Sequence, residues 1–187
     1  MKKTLFKYVI VLSIAAVSVS CAHTGWNPSA SETAKDQNVN NHKAAETIAA
    51  FNNSDPNMKA FFKKAYGYAV FPTVGKGGMG LGGAYGKGEV YEKEVLIGVS
   101  SLTQLTIGFQ LGGQAYSEII FFKDKEALDD FKGGNFELGA QASAVAATAG
   151  ASADASYDNG VAIFTLAKGG LMYEASIGGQ KFSFEPI

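Results

Sequence analysis

The chain has no arginine; all sixteen of its cations are lysines. Bidentate recognition of phosphate or guanine leans on the planar guanidinium fork, so nucleic-acid recognition is not expected. There is one cysteine, Cys21, which excludes an internal disulfide. The two histidines, His23 and His42, lie near the amino end. So few His and Cys side chains leave no zinc-type ligand set, and a serine nucleophile would lack its usual base. The patterns GxSxG, HExxH and GxxxxGK[ST] are missing as well. Catalytic residues, metal ligands and cofactors are all expected to be none, and the chain reads as a non-enzyme. Acidic neighbours such as Asp129 and Asp130, or Glu92 and Glu94, read as solvated surface.

Another shortage is local. From Pro56 to Gly88 there is no Asp or Glu, while Lys59, Lys63, Lys64, Lys76 and Lys87 all fall there. A chain of net charge −1 thus carries one strongly cationic stretch, beside Phe61, Phe62, Tyr66 and Tyr68. Lysines near an anionic membrane contribute about 1 kcal/mol each, and an apolar stripe can insert beside them. This makes Lys59, Lys63, Lys64, Lys76, Lys87, Phe61 and Phe62 the candidate lipid-binding residues. The competing reading makes Met58, Phe61 and Phe62 ordinary core with the lysines solvated.

At the amino end Lys2, Lys3 and Lys7 surround a short apolar run, Val9 to Val19, followed by small residues and Cys21. That is the layout of a secretory signal over 1–20; the run is short for a spanning helix, which needs ~20 apolar residues. Ser18-Val19-Ser20-Cys21 resembles the lipobox of bacterial lipoproteins, with serine in place of the usual leucine. The resemblance implies that Cys21 carries the lipid, palmitate included. Ala22 in place of aspartate implies the outer membrane, facing the periplasm. Residues 21–42 are polar and read as a flexible tether, which leaves 43–187 for one domain.

Within that domain, Ala44, Ile48 and Phe51 share a helical face. Asp55-Pro56 restarts a helix, with Met58, Phe61, Phe62 and Ala65 on one stripe. Strand character follows from Tyr68 to Val74, ending at glycine. Leu105 to Leu111 alternates, and Tyr116 to Phe122 reads as a run buried on both faces. Asp124 to Phe131 is a capped helix closed by Gly133-Gly134. Alanines from Ala140 to Ala155 recur with a period of two, which predicts strands with a bulge or turn near Ala146 to Gly150. Val161 to Leu166, Leu171 to Ile177 and Lys181 to Phe184 complete an antiparallel set, with a hairpin at Lys168-Gly169-Gly170. The order predicts an α+β fold: a curved antiparallel β-sheet, barrel- or sandwich-like, with N-terminal helices and one short inserted helix.

Gly75 to Gly80 and Gly78 to Gly83 both match GxGxxG. That fingerprint holds a pyrophosphate only when it opens a helix. No helical stripe follows, so nucleotide binding is not expected, and the glycines read as turns, bulges and tight strand contacts.

The ordered set Ala65-Tyr66-Gly67-Tyr68-Ala69-Val70-Phe71-Pro72, Gly75 to Gly88, Ile107 to Gln114, Leu138 to Ser143 and Lys168 to Leu171 resembles the SYLF domain, also called the Ysc-type actin-binding or DUF500 domain, across roughly 43–184. The resemblance implies binding of membrane phospholipids, anionic ones above all, through a basic amphipathic helix. The helix carrying Lys59, Lys63 and Lys64 matches that position. Actin binding, known in fungal members, is not expected of an exported bacterial chain, and the protein partner is left open. The family's Trp-Ser-x-Pro element is replaced by Gly98-Val99-Ser100-Ser101-Leu102. Other readings stay open: a structural envelope protein or small outer-membrane β-barrel, and a lipid-acting enzyme.

Overall fold

The computed structural model describes residues 42–134, 136, 144–169 and 178–187. The leader, Cys21, most of the tether, 138–143 of the alanine-rich stretch and the expected strand from Leu171 to Ile177 lie outside them.

Helix α1 spans 42–54, and its expected face holds: Ala44 and Phe51 are fully buried. Helix α2 (Met58–Lys64) follows after one turn. Two long strands come next, β1 (Gly67–Glu92) and β2 (Val95–Phe122). They form one hairpin around Lys93 and Glu94, both at positive φ (49° and 68°), the backbone of a primed turn. Helix α3 (Lys125–Lys132) is capped by Asp124, whose Oδ1 accepts the Ala127 amide at 3.0 Å. The remaining strands are β3 (Val145–Ala146), β4 (Val161–Gly169) and β5 (Gln180–Pro186).

Strand β2 is the centre of the sheet. One edge pairs with β1 throughout. The other edge is shared, with β4 along Ala115–Phe122 and β5 along Gly98–Gln104. All of these pairings are antiparallel; β3 joins β4 in parallel. The fold is thus α+β with a curved, mostly antiparallel sheet, as the sequence predicts.

Two expectations fail in part. Strand β1 does not end at Gly75 but runs through the whole glycine-rich segment. In the described part of the alanine-rich stretch only Val145–Ala146 is strand; a turn with Gly150 at φ 83° and a 3-10 turn, Ala151–Asp154, follow. Methyl side chains alternate without cost on either face, so their period specifies pairing weakly.

The glycines let β1 double back. The Lys93 amide donates to the Tyr66 carbonyl at 2.9 Å, so the start of β1 meets its end. A side chain at Gly88 would lie 2.5 Å from the Val70 carbonyl, and one at Gly67 2.6 Å from the Tyr91 carbonyl. Only glycine permits such an approach. The pairing register shifts at Phe71/Val74 and Gly78/Gly80, and such shifts bend a strand.

Curling gives the sheet two buried faces. On one, Ala69, Phe71, Ile120 and Phe122 pack with Leu128 and Phe131 of α3. On the other, Tyr68, Val70, Ile119 and Phe121 pack with Ala44 and Phe51 of α1 and Met58 of α2. Tyr116–Phe122 is buried residue by residue on both faces, and each large apolar side chain removed from water there stabilises by about 1.5–3 kcal/mol.

Candidate functional site

Asp55 and Pro56 form the turn before α2 and not, as expected, its cap and first turn: the Asp55 carboxylate accepts the Asn57 amide at 3.0 Å, and Asn57 is the N-cap residue, without a side-chain cap bond. The other Asp55 oxygen reaches across the molecule and accepts the Ser152 amide at 2.8 Å and its hydroxyl at 2.7 Å. Asp55 is fully buried. Burial pushes its carboxyl up, but the hydrogen bonds from Ser152 and Asn57 outweigh it and hold the group below the ordinary carboxylate range. Next to it, Ser54 Oγ donates to the Ala147 carbonyl at 2.5 Å. The amino end of α2 is therefore locked to the 147–152 segment.

The apolar side of α2 is locked to the sheet. Met58 is fully buried. Phe61 packs edge-on against Phe164 at 4.9 Å between ring centres, and Phe62 against Phe121 at 4.8 Å and Tyr68 at 5.2 Å. Such pairs add ~0.5–1.5 kcal/mol beyond area burial. Phe61 and Phe62, expected among the lipid-binding residues, are half-buried with their rings packed on the sheet, as the competing core reading has it.

Lys59, Lys63 and Lys64 are left on the outward side, all exposed. No carboxylate among the described residues forms an ion pair with any of the three. On α3, Lys125 bonds Asp129, and Lys132 lies 2.7 Å from Asp129 and 4.0 Å from Glu92. Lys63 and Lys64 close the last turn of α2, where cations also suit the helix dipole. Between α2 and the segment after Ser152 lies a cavity of about 450 Å³, with Asn57, Phe61, Lys64 and Tyr157 on its walls.

The five lysines do not make one patch. Lys76 stands on β1 opposite Gln114, half-buried, and its burial lowers the ammonium pKa. Lys87 stands eleven residues further along β1, opposite Ser101, and is exposed. Residues adjacent in sequence composition are thus divided between a helix face and two separate strand registers. Cys21, the expected lipid anchor, lies outside the described residues.

The sequence reading passed over a buried polar knot. Glu118, fully buried on β2, accepts from Gln180 Nε2 at 3.0 Å, and the same amide nitrogen lies 3.1 Å from the Tyr116 hydroxyl. Burial pushes the Glu118 carboxyl up to about 8, with the Gln180 bond pulling the other way. Burial thus favours its neutral form, and the Gln180 bond ties β5 to β2. The signal was a lone glutamate in a run that is otherwise buried. Among the described residues no group of His, Cys, Asp or Glu could hold a metal ion, and no helix is long and apolar enough to cross a membrane.

Residues 103–185, from the middle of β2 to the end of β5, match the Ysc84 family, described as Las17-binding protein actin regulator. The chain carries a Ysc84, or SYLF, domain. It is also similar to Beta cell expansion factor A of Aeromonas veronii, 30% identical over 161 residues. That match takes in 81% of this chain and 58% of the relative, so the chain spans little more than half of that protein's length. The SYLF match covers most of β2 and β5 and all of α3, β3 and β4; α2 with its lysines precedes it.

Proposed function

We propose that this SYLF protein is an exported, lipid-anchored module that binds anionic phospholipid head groups through the outward face of α2. The observation that carries the reading is the trio Lys59, Lys63 and Lys64: three exposed ammonium groups with no ion-pair partner among the described residues, held by a helix fixed at its start and along its apolar side. Fixing the helix beforehand lowers the ordering cost of binding. Because Phe61 and Phe62 are engaged with the sheet, the contact at α2 is electrostatic, and it weakens as salt screens it.

Cys21 supplies the attachment in this reading, and the polar tether sets how far the domain stands from the membrane. The location that goes with it is the cell envelope, at the outer membrane on its periplasmic side. Membership in a family of lipid- and actin-binding modules supports a binding role over an enzymatic one, and export sets actin aside.

Co-sedimentation of residues 22–187 with vesicles tests the charge reading. Binding to phosphatidylglycerol vesicles should exceed binding to phosphatidylcholine vesicles and fall steeply with added salt. Equal binding to both, unmoved by salt, would remove it. Labelled palmitate incorporated by the full chain, and lost in Cys21→Ser, tests the anchor.

A further inference from the structure

Helices α1 and α2 cover the β1–β2 hairpin only at its Tyr68/Phe121 end. At the other registers, strands β1, β2 and β5 lie side by side with nothing described over their outer face. Tyr85 pairs with Thr103, which pairs with Lys181; Lys87 pairs with Ser101; Gly83 pairs with Leu105. Directly opposed residues in antiparallel strands share a face, as do residues two apart on one strand. Tyr85, Lys87, Thr103, Leu105 and Lys181 therefore stand on one surface.

Leu105 is 90% exposed and Tyr85 53% exposed. A single exposed apolar side chain means little. Here two stand on neighbouring strands, beside a concavity of about 420 Å³ that Gly179 and Lys181 complete. Residues 83–87, 101–105 and 179–183 contain no Asp or Glu. A greasy centre, a tyrosine with a polar tip and a cationic rim match the order of groups met on entering an anionic lipid surface.

We infer that this bare outer face, centred on Leu105 and Tyr85, is the part of the domain that enters the lipid surface. The inference rests on the lipid-binding reading above and supplies the apolar contact that α2 cannot. Lysines on α2 draw the domain to the membrane, and Leu105 with Tyr85 holds it there.

The test reads position as well as affinity. In the full chain with Trp26→Phe, a tryptophan is placed by Leu105→Trp or, on the exposed side of α3, by Asp130→Trp. Each variant is mixed with phosphatidylglycerol vesicles containing brominated acyl chains. The Leu105→Trp reporter should shift to the blue and lose fluorescence, and the Asp130→Trp reporter should do neither. Changing Tyr85 and Leu105 together to serine should weaken the binding that survives high salt about tenfold or more. If the chain sediments with vesicles while the reporter at position 105 stays unquenched, this inference fails and the α2 reading survives. If no variant sediments with vesicles, both fail. A dimer in buffer that Leu105→Glu dissociates would assign the face to a second copy of the chain and overturn the inference.

Discussion

Helices α2 and α3 are built alike and finished differently. Both are short, both follow an aspartate that accepts a nearby backbone amide, and both seat aromatic side chains on a face of the same sheet. Yet α3 carries its own acids and pairs Lys125 and Lys132 with Asp129, whereas α2 has none. Surface ion pairs contribute little to stability, so folding does not require either arrangement. Three exposed ammonium groups on one short helix with no acid among them set α2 apart from α3, and that is why function is assigned there.

The largest expected effects test the shared part of the comparison. Phe121→Ala, under α2, and Phe131→Ala, within α3, should each cost about 3–5 kcal/mol in denaturant unfolding, since both rings are fully buried. A small loss at Phe121 alone would mean that α2 is not seated as described.

Strand β2 lies between the two helices, and Glu118 sets its pH response. Its folded-state carboxyl sits near 8 against an ordinary 4.5. A raised carboxyl pKa means that the unfolded chain ionises first. Stability from this group is therefore complete below about pH 4.5, falls as pH rises above it and levels off above about 8. Glu118→Gln should flatten that slope in stability measured from pH 5 to 8; an unchanged slope would contradict the buried, protonated acid.

Asp55 has the opposite sign. Its lowered pKa contributes stability above the ordinary carboxylate range, lost as pH falls through the folded-state value. Asp55→Ala orphans the Ser152 amide and should cost about 1–3 kcal/mol. Asp124→Ala, the corresponding change at α3, removes a cap contributing about 0.5–2 kcal/mol. In acid, hydrogen exchange should report α2 loosening before α3.

Much of this was legible in the sequence where the signal is local. Asp124 and Gly133-Gly134 marked both ends of α3, the run at Tyr116 to Phe122 marked a strand buried on both faces, and the stripe from Met58 to Ala65 marked α2. The stripe could not say whether Phe61 and Phe62 face a core or a membrane, because Phe121 and Phe164, which decide it, lie far along the chain. Gly75 to Gly88 was read as punctuation because its partners, Ser100 to Ala115 and its own beginning at Val70, are long-range. Asp55 was read as the cap of α2 and instead forms the turn before it, and its bond to Ser152, 97 residues away, was not legible. The lysine count from Pro56 to Gly88 was accurate as charge and misleading as geometry, since strand β1 carries Lys76 and Lys87 away from α2.

Charge reversal on α2 tests the central claim most directly. Residues 22–187 with Lys59→Glu, Lys63→Glu and Lys64→Glu together should unfold at nearly the wild-type denaturant midpoint. The variant should lose about 100-fold or more in affinity for phosphatidylglycerol vesicles, from about 1 kcal/mol for each ammonium removed, while Lys123→Glu, an exposed lysine beside α3, should change binding little. Wild-type affinity in the folded triple variant would contradict the account.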